Sequence, residues 1–187
     1  MSLRIIDATI ETEQSDQIHE ARLLLLLRHA ANRGKGTVEG ITKLAKIDFL
    51  LRYPLYFQRL IDLLNRDRRR KIEVPLQEYE TETVESKMIR FRYGPWDPRY
   101  RRWIGILVAK GLADTYLQGR TVHVKLTDRG IDLANQIAES ENFQDLDARS
   151  KLIDKTVGSK SGTWLKDTIY EVVPELSGMQ WGEEIEP

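Results

Sequence analysis

The sequence contains no cysteine, so neither a disulfide framework nor thiolate chemistry is available to it. It also has no net charge, because 29 basic residues balance 29 acidic ones. Its net charge therefore provides no general electrostatic attraction to nucleic acid. Long apolar runs are missing: the leucines from Leu23 to Leu27 are flanked by Arg22 and Arg28 and are too few to span a membrane. Since no secretory signal is evident either, we predict a cytoplasmic protein.

Signals of catalysis and of cofactor binding are also scarce. The three histidines, His19, His29 and His123, are far apart in the sequence, so they do not start a metal-ligand cluster. Residues 34–37 and 158–163 contain the residue types of a phosphate-binding loop but not their required order, and helix-ending loops explain them better. We therefore predict that the protein is not an enzyme and needs no cofactor or metal.

A basic amphipathic helix is predicted after Asp97, which is a suitable N-cap, with Pro98 at the first helical position. Gly111 provides the stop signal for this helix. At helical spacing one face is apolar, whereas the other face is small and cationic and includes Arg101 and Arg102. Such a helix can pack on one side and offer its other side to a phosphate backbone or to a neighbouring helix.

A two-stranded hairpin follows this helix. Leu112 to Leu117 and Thr121 to Leu126 predict two strands around a Gln118-Gly119-Arg120 turn, and in the second strand Val122, Val124 and Leu126 alternate with polar residues. The alternation should bury the valines of the second strand and expose His123 and Lys125.

Thr127 is a good N-cap for a closing helix, and helix, hairpin and helix in this order form the second half of a winged helix. In this part the chain resembles the winged-helix regulators of the MarR and PadR kind. Those regulators place another helix directly before the basic one, whereas here residues 88–93 alternate like a strand and residues 94–98 cannot be helical. The partner helix therefore has to come from before Asn65, so the domain carries a long insertion or consists of two small modules.

The N-terminal region is predicted to be helical and is unusually apolar. Its first helix is capped by Ser15 or Asp16 and ends at Gly34, and its five successive leucines cover the whole circumference of the helix. A second helix begins near Gly40 and a third at Pro54. Helices this apolar need cover on several sides, from their own domain or from a partner chain, and the candidate partner-binding side chains are Leu23, Leu25, Leu26, Phe49 and Trp164.

Charge and composition divide the chain into an N-terminal helical region (1–65), a charged connector (66–87), a winged-helix region (88–140), and C-terminal helices with an acidic tail (141–187). We expect the connector to be mobile or ordered by a partner, and the last dozen residues to be loose. From Lys87 to Arg129 there are ten basic and three acidic residues, a net charge of +7. A neutral protein can contact phosphate with one such face, and the candidate DNA-binding residues are Arg99, Arg101, Arg102, Arg120, His123 and Lys125.

These patterns predict a mainly α fold with a small antiparallel β wing, that is, a winged helix-turn-helix-like fold with additional N- and C-terminal helices. Two stretches carry a second resemblance: EGITKLAKIDFLLRYP from Glu39 to Pro54, and YGPWD from Tyr93 to Asp97. Together with the wing, they are similar to the small middle component of bacterial three-component ABC-ATPase defence systems, a group that includes the Lamassu middle subunit. The similarity extends from about Leu23 to Val173.

The resemblance implies a non-catalytic adaptor, and no catalytic residue is carried over from it. Such an adaptor binds an SMC-like ABC ATPase, links it to an effector subunit such as a nuclease that acts against phage or plasmid DNA, and can contact double-stranded DNA. The chain also resembles the winged-helix accessory subunits of bacterial condensins. The alternative function is that of a stand-alone transcriptional regulator, whose homodimer would present two recognition helices one DNA turn apart.

Overall fold

The structure is a computed structural model that describes residues 16–32, 37–65, 72–76, 80 and 86–187. Within these ranges seven α-helices surround a three-stranded and a two-stranded antiparallel sheet, which confirms a mainly helical chain with a small antiparallel sheet. None of the described helices is both long enough and apolar enough to cross a membrane. The predicted cap at Ser15, the stop at Gly34 and the charged residues 66–71 lie outside the described residues.

Three helices and one short strand form the N-terminal part: α1 (Asp16–Asn32), β1 (Thr37–Glu39), α2 (Ile41–Arg52) and α3 (Pro54–Leu64). Helix α3 begins at Pro54 as predicted, since a proline at the first helical position loses no hydrogen bond. Strand β1 was not predicted. It lies where the sequence indicated only a helix-ending loop.

A small hairpin of β2 (Ile89–Phe91) and β3 (Gly94–Trp96) precedes helix α4 (Tyr100–Ala109). Helix α4 ends in a Schellman motif, in which Gly111 adopts a φ of 67°. The Gly111 N–H donates to the Val108 carbonyl at 2.9 Å, and the Leu112 N–H donates to the Leu107 carbonyl at 2.8 Å. The predicted stop at Gly111 is therefore confirmed.

Strands β4 (Ala113–Gln118) and β5 (Thr121–Leu126) form the predicted hairpin, and β1 pairs with the other edge of β5, so that the sheet order is β1-β5-β4. Helices α5 (Asp128–Glu139), α6 (Gln144–Val157) and α7 (Gly162–Val172) complete the chain. Thr127 caps α5 as predicted, because its hydroxyl accepts a hydrogen bond from the Gly130 N–H at 3.0 Å.

One connected hydrophobic core draws side chains from all four sequence regions, for example Leu23, Val74, Trp103 and Ile153. The five leucines of α1 are each at most 3% exposed, because α4, α5, α6 and β5 pack around this helix. Phe49 in α2 is also fully buried. The chain's own elements therefore bury these apolar helices. This corrects the prediction that four of their side chains lie on a partner surface: Leu23, Leu25, Leu26 and Phe49. Trp164, by contrast, is half-buried at the edge of the core.

The described part of the connector is held in place by Arg149 of α6. This guanidinium is buried and donates to the carbonyl oxygens of Pro75 and Leu51 at 2.7 and 2.9 Å. It also donates to both carboxylate oxygens of Glu80, at 2.6 and 2.7 Å. A fork of this kind fixes both position and direction of the chain it binds. Gln58 of α3 holds Ile72 and Val74 of the same segment, so the described connector residues are ordered by the chain's own α3 and α6.

The acidic tail is docked, which corrects the expectation that it is loose. Ile185 is 2% exposed, and its N–H donates to the Met88 carbonyl at 2.8 Å. The hydroxyl groups of Tyr53 and Tyr56 donate to the carbonyl oxygens of Ile185 and Glu186 at 2.8 and 2.9 Å. The tail therefore closes over the start of α3 and the strand region around Met88.

Candidate functional site

Helix α4 has one buried and one exposed face. Tyr100, Trp103, Ile104 and Leu107 point into the core, which confirms the predicted packing face except at Val108, which is 39% exposed. The opposite side, which we call the α4 face, is exposed and consists of Arg101, Arg102, Gly105, Val108, Ala109 and Lys110. It is small in the middle and cationic at both ends, so another helix or a phosphate backbone can approach it closely.

Two cations of the α4 face are paired with acids of α1. Arg102 contacts Asp16 at 2.5 Å, although its side chain remains 67% exposed. Lys110 contacts Glu20 at 2.6 Å, and its side chain is 49% exposed. The two cations are exposed, but their acids are less so: the side chains of Asp16 and Glu20 are 24% and 7% exposed. Arg102 can therefore turn to a phosphate oxygen or a partner carboxylate more easily than Lys110, whose departure would leave Glu20 buried without its cation.

Two cations of the hairpin remain accessible. Arg120 lies in the two-residue turn between β4 and β5 and is exposed. The Lys125 side chain is 45% exposed and lies 3.7 Å from the carboxylate of Asp114 on the neighbouring strand. Leu117, 72% exposed, lies next to the same turn. The turn thus presents cations beside an apolar side chain.

His123 is buried, so the prediction that the hairpin exposes it is wrong. It is 7% exposed and stacks on Tyr116 of β4, with ring centroids 5.0 Å apart. Its other backbone neighbour is Glu39 of β1. Because β1 makes β5 the central strand of the sheet, a side chain on either face of β5 is flanked on both sides.

The side chain of Arg99, which directly precedes α4, is held by hydrogen bonds to neighbouring residues of the chain. Its guanidinium donates to both oxygens of Asp97 at 3.0 and 2.9 Å and to the hydroxyl of Ser86 at 2.6 Å. It also lies over the ring of Trp103, 4.9 Å from the centroid. The Asp97 carboxylate in turn accepts a bond from the Arg99 N–H at 3.0 Å. Arg99 and Asp97 therefore shape the turn before α4, and Arg99 is less available to DNA than the other arginines.

A fully buried charge network joins α1, α2 and α4 behind the α4 face. At its centre, the carboxylate of Asp48 accepts hydrogen bonds from Arg22 at 2.7 Å, from Arg52 at 3.0 Å and from the Tyr100 hydroxyl at 2.5 Å. Arg52 extends the network to Asp97 at 2.9 Å. We call these five residues the buried charge network: Arg22, Asp48, Arg52, Asp97 and Tyr100.

Asp48 and Arg52 of the network carry their charges at neutral pH. Burial alone would raise the pKa of Asp48, but Arg22 and Arg52 outweigh it and lower the pKa to about 2. Burial likewise disfavours the charged form of Arg52, yet Asp48 and the other neighbours raise its pKa above the ordinary value. Burial and the adjacent Asp48 carboxylate raise the pKa of the Tyr100 hydroxyl, which therefore stays protonated and donates. The three helices are thus fixed to each other by charge-assisted hydrogen bonds.

The sequence prediction did not include this network. Its signal is the presence of Asp48 and Arg52, four residues apart, in a helix whose other side chains are apolar except for Thr42, Lys43 and Lys46. Charged residues are almost never fully buried unless they are paired, so an i,i+4 pair in an apolar helix indicates buried partners on other elements.

The described residues contain no group of three or more His, Cys, Asp or Glu side chains that would hold a metal ion. The α4 face and the β4–β5 hairpin expose five cations, Arg101, Arg102, Lys110, Arg120 and Lys125, and the carboxylate of Asp114. Comparison with known protein families, with curated proteins and with solved structures gave no significant match to this chain.

Proposed function

We propose that the chain is a winged-helix protein whose second and third helices are separated by an insertion. In this assignment α1, α2 and α4 are the three helices, α4 is the recognition helix, and β4 and β5 form the wing. The sheet order β1-β5-β4 supports it, because the short strand after the first helix pairs with the last strand of the wing. Helix α3 and the β2–β3 hairpin then belong to the insertion between α2 and α4.

The function that we propose is that of a non-catalytic adaptor subunit in an SMC-like ATPase defence complex, which links the ATPase to an effector nuclease and contacts DNA. The observation that carries it is the accessible, cationic α4 face on a helix whose rear is fixed by the buried charge network. A rigid helix with small residues at its centre suits docking more than it suits enclosing a substrate. The ATPase as partner comes from the resemblance of residues 39–54 and 93–97.

The quaternary state distinguishes the adaptor from the alternative regulator. The purified chain should elute as a monomer with the mass of a single chain, 21.8 kDa, in size-exclusion chromatography with light scattering. When co-expressed with the SMC-like ATPase encoded nearest to its own gene, it should co-elute with that ATPase. A stable homodimer that binds a palindromic DNA duplex and ignores the ATPase would contradict the adaptor role and favour the transcriptional regulator.

Neutralising the exposed cations of the proposed DNA surface should weaken DNA binding without disturbing the fold. The triple glutamine variant at Arg102, Arg120 and Lys125 should lower the affinity of the assembled complex for duplex DNA and reduce the slope of log affinity against log salt by about 2–3. Arg101 is left intact because it also lines the pocket described below. The control variant removes the same charge from α6 and the loop after it, at Lys151, Lys155 and Lys160. Equal salt slopes for the two variants in fluorescence anisotropy would remove the DNA role.

A further inference from the structure

A pocket of about 170 Å³ lies between α2, the β2–β3 hairpin and α4. Its walls are mainly apolar and aromatic, and two cations contribute to the lining: Thr42, Lys46, Phe91, Tyr93, Gly94, Pro95, Trp96 and Arg101. A cavity of roughly 150 Å³ accepts a benzene-sized group, so this pocket has room for one large apolar side chain. None of the described residues that line it carries a carboxylate.

Lys46 is a buried cation at the wall of this pocket. It is 3% exposed, and its ammonium group donates to the Thr42 carbonyl at 3.1 Å. The charged group that acts on it is also a cation, Lys166 of α7, while Arg101 of α4 lines the same pocket and the Asp167 carboxylate near Lys166 is exposed. Burial, together with repulsion from Lys166, lowers the pKa of Lys46 to about 8. A carboxylate brought into the pocket would counteract both effects by favouring the charged ammonium group.

Exposed aromatic residues surround the mouth of the pocket. Phe91, Tyr93 and Trp181 are 42%, 51% and 63% exposed, and the rings of Phe91 and Trp181 lie 6.1 Å apart. Arg92 lies over Tyr93 and Arg90 over Trp181, at 5.3 and 5.9 Å from the ring centroids. Tyr, Trp and Arg are the residue types that carry most binding energy at protein interfaces. We call these five residues the aromatic rim: Arg90, Phe91, Arg92, Tyr93 and Trp181.

We propose that the pocket and its aromatic rim bind an acidic peptide segment of another protein. One bulky apolar side chain of that segment enters the pocket, and neighbouring carboxylates pair with Lys46, Arg101 and the rim arginines. The rim extends well beyond the pocket mouth, so a peptide covers it and a free small molecule does not. This site goes beyond the proposed adaptor role, because it requires neither the ATPase nor DNA.

Charge alone would also attract single-stranded nucleic acid, whose bases stack on exposed aromatic rings. The pocket favours the peptide, since Phe91, Pro95 and Trp96 enclose a volume for an apolar group and the buried Lys46 lies at its wall. A phosphate remains on the outside of a stacked strand, where it meets the rim arginines but not Lys46.

The experiment selects ligands for the immobilised full chain from a phage-displayed library of random peptides. Enriched sequences should contain Phe, Trp or Leu next to Asp or Glu. The best peptide, made synthetically, should bind Lys46→Met and Tyr93→Ser about tenfold more weakly than the wild type, a loss of about 1.4 kcal/mol. The controls are Lys151→Met on α6 and Tyr116→Ser on β4, which make the same exchanges at exposed positions outside the pocket and should leave the affinity unchanged.

The pH dependence gives a second readout. In the wild type the affinity for the peptide should fall as the pH rises above about 8, because Lys46 loses its proton, whereas Lys46→Met should lack this step. Enrichment of basic sequences, no enrichment, or equal losses in the control variants would overturn the proposal. So would an oligothymidine probe that competes with the peptide and loses affinity in the same two variants, since nucleic acid would then be the ligand.

Discussion

Replacing Asp48 by asparagine should lower the free energy of unfolding by about 3–5 kcal/mol, the usual cost of removing one partner from a buried ion pair. Arg22 and Arg52 are both fully buried, and they would face each other without the carboxylate that now lies between them. Asparagine keeps the size of the side chain, so the loss reports on charge and not on a cavity. The measurement is urea unfolding followed by tryptophan fluorescence, which includes Trp103 next to the network.

The matched control is Asp114→Asn on β4, whose carboxylate is 57% exposed and lies 3.7 Å from Lys125. Its removal should change the free energy of unfolding by less than about 1 kcal/mol. Similar losses at both positions would mean that Asp48 contributes no more than a surface carboxylate. The charge network would then not be what fixes α4 against α1 and α2.

The same variant should also change how stability depends on pH. The pKa of Asp48 is about 2 in the folded protein, whereas the pKa of an aspartate without these partners is 3.8. The contribution of Asp48 to the free energy of unfolding is therefore present above pH 4 and is lost as the pH falls towards 2. In the wild type the free energy of unfolding should therefore decline more steeply over that interval than in Asp48→Asn. Equal slopes would place the pKa of Asp48 near its ordinary value.

Local sequence signals predicted most of the elements because they act within a few residues. Pro54 begins α3 because its fixed φ suits the first turn, whereas Gly111 after α4 and Thr127 before α5 act through hydrogen bonds to residues three positions away. The turn residues 118–120 and the alternation in residues 121–126 likewise predicted the β4–β5 hairpin, which needs only one turn to bring its strands together.

The missed features depend on contacts between distant parts of the chain. Strand β1 has three residues, too few for an alternating pattern, and it exists through pairing with β5 more than 80 positions later. That pairing buries His123, so one missed strand produced the wrong exposure for a candidate site residue. The docked tail depends similarly on backbone carbonyl groups, which accept hydrogen bonds from Tyr53 and Tyr56. Every residue has such a carbonyl group, so a sequence pattern does not indicate which of them will be bound.

The candidate site was predicted in part for the same reason. Arg101, Arg102, Arg120 and Lys125 are exposed, since helical and strand periodicity indicate correctly which side of an element faces solvent. Periodicity does not show what an arginine binds, and Arg99 is held by Asp97 and Ser86 through a turn that no repeat describes. A leucine run likewise indicates that its helix is buried, but not whether the same chain or a partner chain buries it. Here the chain's own elements bury it.

Replacing Gly130 by alanine should destabilise the protein by about 3 kcal/mol, although an alanine normally stabilises a helix relative to glycine by about 1 kcal/mol. Gly130 lies in the first turn of α5, and an added Cβ would be 1.9 Å from the carbonyl oxygen of Leu112. That carbonyl cannot easily move, because it accepts the Thr127 N–H at 3.1 Å while the Thr127 hydroxyl donates to the Gly111 carbonyl at 2.8 Å. Helix α5 would have to shift away from the start of the hairpin.

Gly105→Ala is the matched control, since Gly105 lies on the exposed α4 face and an added Cβ meets no atom within 4 Å. It should raise the free energy of unfolding by up to about 1 kcal/mol, so the two variants differ in sign under identical urea titrations. A stabilised Gly130→Ala would show that the hairpin and α5 do not approach as closely as described. Because Leu112 also closes the Schellman motif of α4, a shift at Gly130 should reach the C-terminal end of the α4 face, and the proposed contact of that face with DNA should weaken with it.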